Sequence, residues 1–154
     1  MPSNDRILTP GGSSIPQNVR RRGDRPRHNV IAERRIVTVK FGKRVTENEI
    51  AGYAAALRAD RSFQPEFSEI VDLRDVEDLD LRGNEMMELA DKIDPFSFEA
   101  KRAFVVRNSV QSHAARMHQI LRIAKENIFI CHSLEEAECW IAGIPATRAA
   151  KATK

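Results

Sequence analysis

Four short runs of β-branched and aromatic residues, each followed by a turn and an amphipathic segment, leave this chain few ways to fold. The runs are Ile36-Val37-Thr38-Val39-Lys40-Phe41, Glu69-Ile70-Val71-Asp72-Leu73, Ala103-Phe104-Val105-Val106 and Ile128-Phe129-Ile130-Cys131-His132. Short apolar runs bounded by charge read as buried strands. Between them Ile50, Tyr53, Ala54 and Leu57 recur at helical spacing, as do Met86, Leu89, Ala90 and Ile93. Val110, Ala114, Met117, Leu121 and Ala124 predict the inward face of a third helix, and Leu134, Ala137, Trp140 and Ile141 that of a fourth. Thr46-x-x-Glu49 and Ser133-x-x-Glu136 are capping boxes that start the first and last helices. Asp94-Pro95 and Gly143 supply stops.

The order β-α-β-α-β-α-β-α predicts an α/β fold. The expectation is one small domain with a four- to five-stranded, mostly parallel sheet and four helices. Val30 and Ile31 can add an edge strand, antiparallel if Glu33-Arg34-Arg35 is a tight turn. The segment from Asp75 to Asp80 reads as an acidic connector, and the second helix as running from about Leu81 to Ile93. The domain is expected over residues 29–144, between a disordered basic tail at 1–28 and a frayed end at 145–154.

Charge is unevenly placed. Net charge is +3, but residues 1–28 hold six Arg against two Asp, giving +4, and the remaining 19 basic and 20 acidic residues give −1. Arg20, Arg21, Arg22, Arg25 and Arg27 could touch phosphates of nucleic acid or anionic lipid. A solvated tail without a partner is the competing reading, since no aromatic residue there could stack on bases. Cys131 and Cys139 fit no redox or zinc spacing and read as reduced, small hydrophobes. No apolar run approaches the roughly 20 residues of a membrane span, so a cytoplasmic protein is expected.

In open α/β sheets, ligands gather at the carboxyl ends of the strands. Those ends bring Asp72, Arg74, Asp75, Arg107, Asn108, Ser109 and His132 into consideration as binding residues, with Ser133 beside them. The competing reading has Ser109 and Ser133 capping helices and Asp72 pairing with Arg74. His113 and His118 are about 140° apart on one helix and cannot share a metal; without an acidic partner at metal spacing for His118, no metal site and no cofactor is expected. Phosphate-cradling, nucleophile-elbow and zinc-protease motifs do not occur, which favours a non-enzymatic domain.

Gly42, Val45-Thr46-x-x-Glu49, Phe63-x-Pro65, Val71-Asp72-Leu73-Arg74, Lys101-x-Ala103-x-Val105, Ala115-Arg116-Met117 and Glu136-Ala137-x-x-Trp140 follow one another in an order that resembles the bacterial STAS-like proteins. These are similar to the sporulation anti-sigma-factor antagonist. The resemblance covers about residues 30–143 and implies a βα superhelix that binds partner proteins under control of a phosphorylated Ser or Thr. In those relatives the hydroxyl lies between an Asp and a Gly; here the segment is Asp80-Leu81-Arg82-Gly83, which has no hydroxyl. The expected function is therefore a regulatory or binding domain without the usual switch, working through protein contact or a small ligand. Attachment to nucleic acid or an anionic membrane through the Arg-rich tail is the alternative. Ser109 and Ser112, at a helix start, are candidates for a residual phosphoswitch.

Overall fold

The computed structural model describes residues 25–123 and 126–145. Arg20, Arg21 and Arg22, the C-terminal end of the chain and the expected helix positions Ala124 and Lys125 lie outside the described residues.

The chain forms an α/β domain around a five-stranded sheet in the order β1-β2-β4-β6-β7. Its strands are β1 Arg27–Ile31, β2 Ile36–Lys40, β4 Ser68–Asp72, β6 Arg102–Val105 and β7 Ile128–Cys131. β1 runs antiparallel to β2, and all other neighbours are parallel. β1 begins at Arg27, so Arg27 and His28 belong to the sheet and not to the preceding tail. A second, two-stranded sheet joins β3 Arg44–Thr46 to β5 Asp78–Asp80 in parallel. The presumed acidic connector is thus partly a strand, held by Arg44, whose guanidinium pairs with both Asp78 and Asp80. Three residues are too few for a periodic signal, and the charges face their partner across the ladder.

The helices are α1 Glu47–Ala59, α2 Gly83–Glu88, α3 Ser109–Leu121 and α4 Leu134–Ala142. Glu49 accepts from the Thr46 amide at 2.7 Å, and the Thr46 hydroxyl accepts from the Asn48 amide at 3.2 Å, which satisfies donors that α1 would otherwise leave open. Gly143 ends α4 in the left-handed region at φ 78°, where a side chain would be strained. α2 is shorter than its pattern predicts. After Glu88 the chain widens into a π turn over Leu89–Ile93, closed by the Asp94 amide on the Leu89 carbonyl at 2.9 Å.

Strand alternation divides the core. Ile36, Ile70, Ala103, Val105 and Cys131 face α4, which covers them with Ala137, Trp140 and Ile141. Val37, Val39, Val71 and Phe104 face the other way, under Tyr53 and Leu57 of α1 and Ala115 of α3. Phe67 is buried and Phe63 packs on it edge-on, so the loop after α1 closes this larger core.

α3 departs from its predicted orientation. Val110 is 61% exposed and Ile120 60%, while Gln111 and Ala115 are each 1% exposed. The inward face is Gln111, Ala115, His118 and Arg122, one position round from the apolar pattern. The pattern misleads because the core under α3 contains charged and amide groups that these polar side chains satisfy. A pair of variants checks this orientation. Val110→Ser should move unfolding free energy by no more than about 0.5 kcal/mol, whereas Gln111→Ala should cost about 2 kcal/mol in urea unfolding by stranding buried partners.

Candidate functional site

The carboxyl edge of the sheet gathers most of the residues expected there. Asp72, at the end of β4, accepts from Arg74 through its backbone amide (3.0 Å), Nε (3.0 Å) and Nη2 (2.9 Å). Burial pushes the Asp72 carboxyl up, but the Arg74 hydrogen bonds outweigh it and hold the group below the usual carboxylate range. Asp75 is exposed and lies 3.3 Å from Lys40 Nζ. Asn108, not Ser109, caps α3, its Oδ1 accepting from the Gln111 amide at 3.0 Å; Ser109 is the first helical residue and is exposed. His132 Nδ1 sits 3.2 Å from the Val106 carbonyl, and Ser133 caps α4 through the Glu136 amide at 3.1 Å.

Gln111 ties this edge together. Its side-chain oxygen accepts from the Arg107 amide at 2.7 Å, and its amide nitrogen donates to the carbonyls of Val76 (2.7 Å) and Arg74 (3.3 Å). The spacing Asn108-x-x-Gln111, an N-cap followed three positions later by Gln, was the available signal for it. Asp72, Arg74 and Asn108 are thereby engaged in holding loops. Arg107 remains exposed, and its side chain meets no carboxylate among the described residues.

A second cluster lies inside the larger core, where sequence reasoning placed none. Strand register sets Glu69 of β4 beside Arg102 of β6 on the face under α1. Arg102 Nε donates to Glu69 Oε1 at 2.9 Å, and the Tyr53 hydroxyl donates to Glu69 Oε2 at 2.6 Å. Arg102 Nη1 donates to Asp94 Oδ2 at 2.6 Å; the same oxygen lies 2.9 Å from His118 Nε2 and 3.4 Å from Arg122 Nε. Asp94 Oδ1 accepts from the Phe96 amide at 3.0 Å, and Arg122 donates to the carbonyls of Ala90 and Phe96. His118 has an acidic partner in Asp94, although none lies at metal spacing along the sequence. Asp94 is 24 positions upstream, a separation no local spacing rule detects.

Burial opposes ionisation of Asp94, but the charge of Arg102, the hydrogen bond and charge of His118 and the charge of Arg122 prevail and hold it far below the usual range. Burial, reinforced by the Glu69 carboxylate, pushes the Tyr53 hydroxyl well above an ordinary phenol. Burial likewise pushes the Cys131 thiol up to about 11, leaving it a poor nucleophile at neutral pH. Among the described residues no group of three or more His, Cys, Asp or Glu could hold a metal.

Tyr53, Glu69, Asp94, Arg102 and His118 of this cluster also line a partly open cavity of about 100 Å³ between the sheet and the α1, α2 and α3 layer. Apolar side chains form nearly all of its surface, including Ile50, Val71, Leu79, Leu81, Met86 and Phe104. Leu81 comes from the segment Asp80-Leu81-Arg82-Gly83; Asp80 ends β5, Arg82 precedes α2 and its amide donates to Glu85 at 2.8 Å, and Gly83 starts the helix. Met86 lines the cavity, while its neighbour Met87 is 59% exposed. No helix of the described residues is long and apolar enough to cross a membrane. No family model, curated protein or solved structure matches the chain.

Asp94 also sets an acid limit on stability. Its folded pKa is depressed below the unfolded value of about 3.9, so its contribution is complete above that value and is lost as pH falls toward the folded pKa. Unfolding free energy should decline from about pH 5 downward. Asp94→Asn should be less stable by about 3–5 kcal/mol at pH 7, because it leaves Arg102 and Arg122 buried with too little negative charge, and should show a shallower acid decline. Denaturant unfolding followed from about pH 2.5 to about pH 7 measures both.

Proposed function

We propose that this chain is a non-enzymatic binding domain that holds a small, predominantly apolar ligand in the cavity between the sheet and α1–α3. The observation that carries the reading is that the ionisable side chains lining the cavity are engaged with one another, while apolar atoms form nearly all of its exposed wall. The ionisable groups in the wall are already engaged, Tyr53 with Glu69, Glu69 with Arg102, and Asp94 with Arg102, His118 and Arg122. Groups committed to one another in this way are poor general acids and bases, since each proton they might transfer already supports a buried hydrogen bond.

Apolar side chains that face water in a partly open cavity cost about 25 cal/mol per Å² of accessible surface. A ligand the size of a single ring or a short branched chain would offset that cost, and apolar cavities of similar order accept such molecules. The resemblance to STAS-like regulators supports the same placement. The segment that would carry their phosphorylated hydroxyl contributes Leu81 to the cavity wall here. Ligand occupancy therefore replaces phosphorylation in this reading, acting on α2 through Leu79, Leu81 and Met86.

Titration with benzene, followed by amide and methyl resonances, tests the proposal. Saturable shifts confined to Leu79, Leu81, Met86 and their neighbours, with a raised thermal midpoint, are expected. Ala114→Phe, which places a ring in the cavity, should abolish them. Shifts that are absent, or that rise linearly across the whole surface, would count against the cavity as a binding site.

A further inference from the structure

The antiparallel edge strand produces a concentration of positive charge that the cavity does not explain. Because β1 runs opposite to its neighbours, its first residues lie at the carboxyl edge of the parallel strands. Register sets Arg27 directly across from Lys40, an unfavourable arrangement for like charges on paired strands. Arg25, Lys43 and Arg107 complete the surroundings of an open groove of about 470 Å³. Lys43 is held in place because its carbonyl accepts from the amides of Glu77 (2.7 Å) and Asp78 (2.9 Å). Arg107 is positioned through its own amide on Gln111.

Five cations and two carboxylates, Asp75 and Glu77, line this groove, a balance of +3. Among the described residues Lys40 alone is paired, with Asp75 at 3.3 Å. The side chains of Arg25, Arg27, Lys43 and Arg107 meet no carboxylate among the described residues. A surface free to relax would spread these charges or intersperse acids among them. Here three separate segments, each anchored by backbone hydrogen bonds, bring them to one concavity.

We propose that this groove binds a diphosphate group, the chemistry shared by free pyrophosphate and nucleoside diphosphates. A diphosphate carries about three negative charges at neutral pH, matching the groove's excess, and its oxygens accept the forked donors of Arg and the point charge of Lys. Bridging Arg27 and Lys40 through one anion converts their repulsion into two attractions. The site is independent of the cavity and differs from a basic tail, since Arg27, Lys40, Lys43 and Arg107 belong to the folded domain.

Calorimetry of the full chain with inorganic pyrophosphate, orthophosphate and ADP at low ionic strength tests this. Pyrophosphate should bind one to one, and at least about tenfold more tightly than orthophosphate; one lost charge-assisted contact is worth about that factor. ADP binding like pyrophosphate places the recognition on the diphosphate, while markedly tighter ADP binding identifies a nucleotide as the source. Lys43→Glu with Arg107→Glu should weaken binding about a hundredfold, two such contacts being lost. Lys43→Arg with Arg107→Lys should retain most of it, and Asp75→Asn should tighten it by freeing Lys40. Unchanged thermal midpoints and circular dichroism separate these effects from misfolding. Absence of saturable heat, indifference to the Lys43 and Arg107 reversals, or an equal loss on replacing Arg20, Arg21 and Arg22 by Ala would overturn the proposal.

Discussion

The ion pair between Glu69 and Arg102 is the constraint on which the larger core depends. Two charges placed opposite one another on the central strands, 1% and 6% exposed, are tolerable only if every remaining donor and acceptor is met. That requirement accounts for the layer above. Tyr53 of α1 takes the second Glu69 oxygen, Asp94 takes the far end of Arg102, and His118 and Arg122 of α3 close around Asp94. The flat face of Phe96 lies against the Arg102 guanidinium at 4.6 Å, adding a contact that needs no further charge. One pair on the sheet thus determines which side chains three other segments must present.

Such a core is directional in a way that an apolar one is not. Hydrocarbon packing tolerates exchange of one apolar side chain for another if volume and pattern are kept, whereas a charged cluster accepts only the side chains that supply its partners. The other face of the sheet shows the contrast. There α4 rests on Ile36, Ile70, Ala103 and Val105, and its Trp140 stacks on Phe129 at 5.2 Å. Ala137, Trp140 and Ile141 face the core as their spacing predicts, whereas Leu134, expected on the same face, is 44% exposed at the first turn.

This difference explains what could be read from the residues. The α/β class, the number of helices, the antiparallel edge and the capping of α1 and α4 follow from local periodicity and local hydrogen bonds, and all are legible in short windows. The facing of α3 is not, because Val110, Met117 and Leu121 imitate an inward stripe while Gln111, His118 and Arg122 supply the real one. Glu69, Asp94 and Arg102 look like ordinary flanking charges; their burial is a property of strand register and chain separation. The carboxyl edge was legible from topology alone, but topology does not show that Asp72, Arg74 and Asn108 are occupied in holding loops. Lys40 and Lys43 join the edge only once β1 is known to place Arg27 beside them.

The π turn at Leu89–Ile93 gives the chain an unusual sensitivity to length. A π turn accommodates one residue more than the α-helix it interrupts, and here that extra residue sets the angle at which Asp94 leaves α2 for the core. Drawn back into plain α geometry, the same segment would turn Asp94 by about 100° and present a different side chain to Arg102 and Arg122. Substitutions that conserve spacing in this segment are thus absorbed by packing, while loss of a single residue changes the partner offered to two buried cations.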